Sequence, residues 1–106
     1  MDEISSEADL NAKIRKAKRL AVLFFAHWCP FCMRFLPVFR SAVGSSESWE
    51  GLLVAIDEDE NPLWEKYKIE CVPTVLLFVD GKEIRRLSAI PGVGISEKDL
   101  KDALQD

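Results

Sequence analysis

No stretch of this 106-residue chain is long and apolar enough to span a membrane, repeats itself or falls into low complexity, and each absence narrows the field. The longest apolar run near the N-terminus, Leu20 to Ala26, is too short for a bilayer and follows an acidic and then a basic segment, unlike a signal peptide. We therefore expect no membrane partner and a cytoplasmic location. Gly and Pro number only five each, against 48% hydrophobic and 30% charged residues, which excludes fibrous and disordered classes. A chain of 106 residues suits one domain, residues 1–106, that buries enough surface to fold without staples.

Positive charge is also in short supply, because 14 Lys and Arg face 18 Asp and Glu, for a net charge of −4. The one basic cluster, Lys13, Arg15, Lys16, Lys18 and Arg19, is spread around a surface turn by helical spacing, so no nucleic-acid partner is expected. Histidine occurs once, as His27, and cysteine three times, as Cys29, Cys32 and Cys71. Three cysteines cannot all pair within the chain. Two of them stand three residues apart, which favours redox or metal chemistry over a disulfide framework.

What is present reads as alternating strands and helices. Glu3 to Ser5 suits a short edge strand. Ser6 and Asp9 open a helix with Leu10, Ile14 and Ala17 inward. Leu20 to Phe25 is apolar throughout, as befits a parallel strand covered on both faces. A helical stripe of Cys32, Leu36, Phe39 and Val43 follows, kinked at Pro37 and ending at Gly44, a residue suited to a left-handed cap. Leu52 to Ile56 is a second buried strand, Asp57 to Glu60 a solvated acidic loop, and Asn61-Pro62 the start of a short helix through Tyr67. Thr74 to Val79 and Lys82 to Leu87 form a hairpin across Asp80-Gly81. Ser96 and Asp99 begin a last helix with Leu100, Ala103 and Leu104 inward. The order β-α-β-α-β-α-β-β-α implies an α/β fold with a parallel or mixed sheet between two helical layers.

The chemistry concentrates where the first buried strand hands over to a helix, at Trp28-Cys29-Pro30-Phe31-Cys32. Cysteines at i and i+3 on a first helical turn can close a small disulfide ring. The outer one gains from the helix dipole and unpaired backbone N–H groups, which favour a thiolate, the reactive species. Cys29 is therefore the expected nucleophile, pointing outward, and Cys32 the resolving thiol one turn deeper. The exchange moves two electrons and two protons and needs no bound cofactor.

Zinc is the competing use of the pair, but four ligands are normally required, and His27 and Cys71 are the only other candidates. His27 can also raise the local positive potential at Cys29, or simply be solvated. Trp28 can touch substrate or pack over the motif, and Phe31, exposed by its position, can serve as a docking patch or cap the core. Cys71 is either a small apolar filler or a regulatory thiol open to oxidation.

Trp28-Cys29-x-x-Cys32 after a buried strand, Pro37 in the next helix and Val72-Pro73-Thr74 before the hairpin together resemble the thioredoxin family over nearly the whole chain. The resemblance implies the thioredoxin fold: three layers around a mixed sheet of four or five strands. It also implies protein disulfides as substrates, and a reductase or low-molecular-weight thiol as electron donor. By the same resemblance Pro73 is cis and lies against the active-site pair, Val72 offers backbone groups to substrate, and Trp28 flanks the nucleophile. Pro30 and Phe31 complete the implied substrate-binding set.

Two departures qualify the match. The family usually carries Gly-Pro between the cysteines, whereas Pro30-Phe31 is closer to the dipeptides of glutaredoxins and of periplasmic oxidants. This leaves oxidation or isomerisation open as alternatives to reduction, beside a non-catalytic module that binds a partner or a metal. The family also usually buries an Asp six residues before the first Cys, a position held here by Leu23. The loop Ser88 to Ile95, beside the implied substrate groove, is a few residues longer than the family's.

Overall fold

The computed structural model describes residues 1–105, and in them nine elements follow one another. They are β1 (Asp2–Ile4), α1 (Glu7–Lys16), β2 (Arg19–Phe25), α2 (Pro30–Gly44), β3 (Glu50–Ala55), α3 (Leu63–Lys66), β4 (Thr74–Val79), β5 (Lys82–Ser88) and α4 (Glu97–Leu104). The five strands form one mixed sheet in the order β1-β3-β2-β4-β5. β3 runs parallel to both β1 and β2, whereas β4 is antiparallel to β2 and to β5.

Successive side chains of a strand point to opposite faces, and β2 is apolar on both, so it feeds two cores. Leu20, Val22 and Phe24 join Leu10, Leu52, Val54 and Leu63 under α1 and α3. Ala21, Leu23 and Phe25 join Phe35, Phe39, Val43 and Leu100 under α2 and α4, and this second core also holds Cys29 and Cys32. Each fully buried Phe or Leu adds roughly 1.5–3 kcal/mol of apolar burial. Close packing is also why position 51 is glycine: a Cβ there would lie 2.9 Å from Val43 Cγ1.

The helix starts form as their sequences imply. The Ser6 hydroxyl accepts the Asp9 N–H at 3.2 Å, and the Ser96 hydroxyl accepts the Asp99 N–H at 3.0 Å. The Asn61 side chain caps the entry to α3 by accepting the Leu63 N–H at 2.9 Å. At the hairpin, Asp80 and Gly81 both adopt positive φ, +51° and +83°, as a tight two-residue turn demands.

Two local expectations are corrected. Gly44 is the last helical residue and not a left-handed cap. α2 ends instead at Ser45, whose hydroxyl donates to Ser41 O at 2.8 Å, relieving the helix end without positive φ. β1 begins one residue before Glu3 and stops at Ile4, because Ile4 is the last residue in register with β3, opposite Val54. β5 also carries a bulge: Leu77 faces Arg85 and Phe78 faces Glu83, leaving Ile84 unpaired and 56% exposed.

Candidate active site

Parallel pairing sets Phe25 opposite Ala55, and the Ile56 N–H donates to Phe25 O at 2.8 Å. The segments leaving β2 and β3 therefore emerge side by side at the carboxyl end of the sheet. Residues 26–29 form a turn closed by the Cys29 N–H to Ala26 O at 3.2 Å, with His27 and Trp28 at its corners. Cys29 is the N-cap of α2. Its Sγ accepts the Cys32 N–H at 3.3 Å, and its carbonyl accepts the Met33 N–H at 3.0 Å. Pro30 takes the first helical position, where its missing N–H leaves no bond unmade. A sulfur bearing negative charge accepts a backbone N–H more strongly than a neutral one, so this cap favours the thiolate.

The two sulfurs differ in depth. Cys29 keeps 6% of its surface and Cys32 none, so Cys29 does not stand out into solvent as its helix position implies but sits in a shallow opening. The thiol of Cys29 donates to Val72 O at 3.7 Å, and the Val72–Pro73 peptide is cis. Burial, and after it the hydrogen bond with Cys29, pushes the Cys32 thiol up to about 12, against a weaker opposing backbone hydrogen bond from Ala26. All three cysteines are free thiols, so the pair stands in its dithiol form. Leu23 lies fully buried in the same apolar cluster as Cys32, and no carboxylate is among the groups that act on the Cys32 charge.

The remaining residues singled out in the sequence surround this opening. Trp28 is 59% exposed, with its indole N–H donating to Asp57 O at 3.0 Å. Phe31 is half-buried, not free: it packs on the core beneath the Arg34 guanidinium, which lies 4.6 Å from its ring centre, and against Gly94. On the far side, Phe31, Cys71, Val72, Ile90 and Pro91 line a cavity of about 180 Å³. Cys71 is half-buried there, its thiol donating to Ala89 O at 3.6 Å. The long loop folds back on itself through paired bonds between Ile90 and Gly94, at 3.0 and 2.8 Å, using positive φ at Gly92 and Gly94. It thereby lifts Ile90 and Val93 into solvent, 58% and 67% exposed.

Sequence reasoning overlooked Asp57, which it placed in a solvated loop. One carboxylate oxygen accepts the His27 backbone N–H at 3.0 Å and the other meets His27 Nδ1 at 2.8 Å. Burial alone would raise the Asp57 carboxyl, but the backbone and ring bonds from His27 outweigh it and hold the group below its ordinary value. His27 is raised in turn, first by its bond to Asp57 and then, against the pull of burial, by the charges of Asp57 and Glu3. The available signal was positional: Asp57 follows a strand parallel to β2 by the same short interval as His27 follows β2 itself. Among the described residues no cluster of three His, Cys, Asp or Glu side chains is arranged to hold a metal ion, and no helix is long and apolar enough to cross a membrane.

Comparison with known proteins agrees with this geometry. The family model described as Thioredoxin matches residues 3–106. A thioredoxin of Mycoplasmoides gallisepticum is 30% identical over 106 residues, covering 99% of this chain and 100% of its own. A thioredoxin of Chlamydia trachomatis is 37% identical over 76 residues, covering 72% of this chain and 69% of its own. The X-ray structure of Fasciola hepatica thioredoxin superposes with a TM-score of 0.83 at 29% identity, covering 98% of this chain and 96% of that one. With its fold, its cis Pro73 and its paired thiols at the helix start all in place, this chain belongs to the thioredoxin family and is a thiol-disulfide oxidoreductase of the protein-disulfide-reductase kind.

Proposed function

We propose that this protein reduces protein disulfides in the cytoplasm, with Cys29 as nucleophile and Cys32 as resolving thiol. The observation that carries this reading is the difference in depth: Cys29 is reachable and capped by a backbone N–H, and Cys32 is sealed one turn below it. The Cys29 thiolate attacks one sulfur of the substrate disulfide. The Cys29–substrate bond forms as the substrate S–S bond breaks, and the departing thiolate takes a proton. Cys32 then loses its proton and attacks Cys29 Sγ, closing the intramolecular disulfide and releasing the second substrate thiol. Two electrons and two protons pass to the substrate. A flavin-dependent reductase or low-molecular-weight thiols would restore the dithiol.

Substrate approaches over Trp28 and Pro30, both exposed, and meets the Val72 carbonyl beside Cys29. Phe31 and Pro73 form the floor of this surface. The cavity behind Val72 accommodates an apolar side chain near the substrate cysteine, and Cys71 on its wall, less buried than Cys29, is open to regulatory oxidation. Insulin turbidity with dithiothreitol tests the activity, which Cys29→Ser must abolish. A potential for the Cys29–Cys32 couple below roughly −230 mV fits reduction, whereas a value near about −120 mV, typical of a strong periplasmic oxidant, overturns it.

A further inference from the structure

We propose that His27, clipped between Glu3 and Asp57, is a positioning residue that holds the turn carrying Cys29 and supplies the one positive charge facing its acidic flank, so that Cys29 becomes less reactive when His27 loses its proton. This rests on the reading of Cys29 as nucleophile and adds a group that neither the motif nor the family assignment names.

The clip joins three separated pieces of chain. Asp57, just past β3, receives the backbone and the ring of His27 on its two carboxylate oxygens and the Trp28 indole on its carbonyl, at 3.0, 2.8 and 3.0 Å. Both corner residues of the 26–29 turn are thus tied to a single residue of the neighbouring strand's end. On its other side, His27 Nε2 lies 3.4 Å from the Glu3 carboxylate of β1. The Phe25 ring meets the imidazole edge-on at 5.0 Å and fixes its plane. Glu3, Ser5, His27, Asp57, Glu58 and Asn61 line one cavity, and His27 is the only base among its lining residues.

Both ring nitrogens of the imidazolium are donors, so the charged form serves Asp57 and Glu3 together. A neutral ring has one N–H. If that proton stays on Nδ1 for the shorter bond to Asp57, Nε2 turns a lone pair towards Glu3, and the clip opens on that side. Loss of the proton also leaves Glu3, Asp57 and Glu58 without a counter-charge two residues from the nucleophile, which disfavours a second anion at Cys29. The bond to Asp57 raises the His27 titration above its ordinary value, so the charged form of the clip is favoured.

The test is the alkylation rate of the reduced protein with iodoacetamide from pH 5.5 to 9, in a Cys71→Ser background so that Cys29 reports alone. Across a solvated turn, one unit charge a few residues from the sulfur is worth a factor of about two to four in thiolate population. His27→Gln is therefore expected to slow alkylation about two- to fourfold near pH 6 and to converge with the parent once His27 has lost its proton. Reciprocity supplies a readout that a merely structural role would not move: the imidazole C2 proton, followed by NMR, should titrate lower in Cys29→Ser than in the dithiol protein. Glu3→Gln, which leaves the turn intact, should lower the same titration. Superposable alkylation profiles for His27→Gln and its parent, or a His27 titration indifferent to Cys29→Ser, overturn the proposal. An active Cys29→Ser enzyme would instead overturn the nucleophile assignment itself.

Discussion

Two sides of one helical turn receive the same residue type and make different chemistry of it. On the outer side, Cys29 meets the Cys32 N–H, the Val72 carbonyl and, two residues away, the clip of His27, Asp57 and Glu3. On the inner side, Cys32 meets Leu23, Phe35 and Phe39 in a core without charge, and its thiol is driven up to about 12. On the proposed mechanism the order of thiol exchange follows depth: the more accessible sulfur attacks first, and the sealed one waits until a mixed disulfide sits above it.

The severest way to break the comparison is to remove one sulfur at a time. Cys29→Ser should lose all insulin-reducing turnover, and Cys32→Ser should complete one attack and stop as a stable mixed disulfide with substrate, visible as a mass increase on gels without reductant. Equivalent behaviour of the two variants would mean that depth does not order the steps.

Next in size is a charge placed on the inner side. Leu23→Asp puts a carboxylate into the fully buried cluster that holds Cys32, and should cost about 3 kcal/mol or more in denaturant unfolding. The same carboxylate gives Cys32 a proton acceptor that the natural chain lacks, so rapid-quench trapping should find a shorter-lived mixed disulfide. An unchanged lifetime in folded Leu23→Asp would show that proton removal from Cys32 does not limit resolution.

A third measurement sharpens the inner side by pH alone. Cys32 is raised in the folded state from 9.0 to about 12, so folding keeps a proton that the unfolded chain gives up. Its contribution to stability is therefore complete below pH 9 and is lost as pH climbs towards 12, at up to about 1.4 kcal/mol per unit. The reduced protein should weaken over that window, and Cys32→Ala should flatten the slope. Denaturant midpoints at intervals of pH check this, and a parent slope no steeper than that of Cys32→Ala counts against it.

The sequence carried the outline of both sides, and the reason is periodicity. Apolar β2, the capped starts at Ser6 and Ser96, and Asp80-Gly81 each declare their element locally, which was enough for the order of strands and helices. Cys29 and Cys32 were legible because their spacing and the helix start are also local. What was not legible depends on contacts between distant segments. Asp57 looked like any acid in a run of four until β3 brought it beside the turn of His27. Phe31 seemed exposed by helical position because the loop carrying Gly94, which covers one flank of its ring, lies some sixty residues on. Gly44 illustrates the reverse error, since a locally persuasive cap gave way to the Ser45 hydroxyl.

The smallest effect falls on the outer side, at Trp28. Its indole makes one hydrogen bond, to Asp57 O, while 59% of the residue faces solvent, so little apolar burial is at stake. Trp28→Phe deletes the N–H and keeps a ring, and a single bond of this kind contributes about 1 kcal/mol net to stability. Since the Asp57 carbonyl can turn to water, the loss in unfolding free energy should fall at or below that figure. Trp28→Ala removes the ring as well, and its effect should appear in KM for a protein disulfide more than in stability, because the ring borders the approach to Cys29. If Trp28→Ala instead lowers stability by several kcal/mol with KM unchanged, Trp28 belongs to the packing of the turn, and substrate approaches Cys29 from the side of Val72 and Ile90.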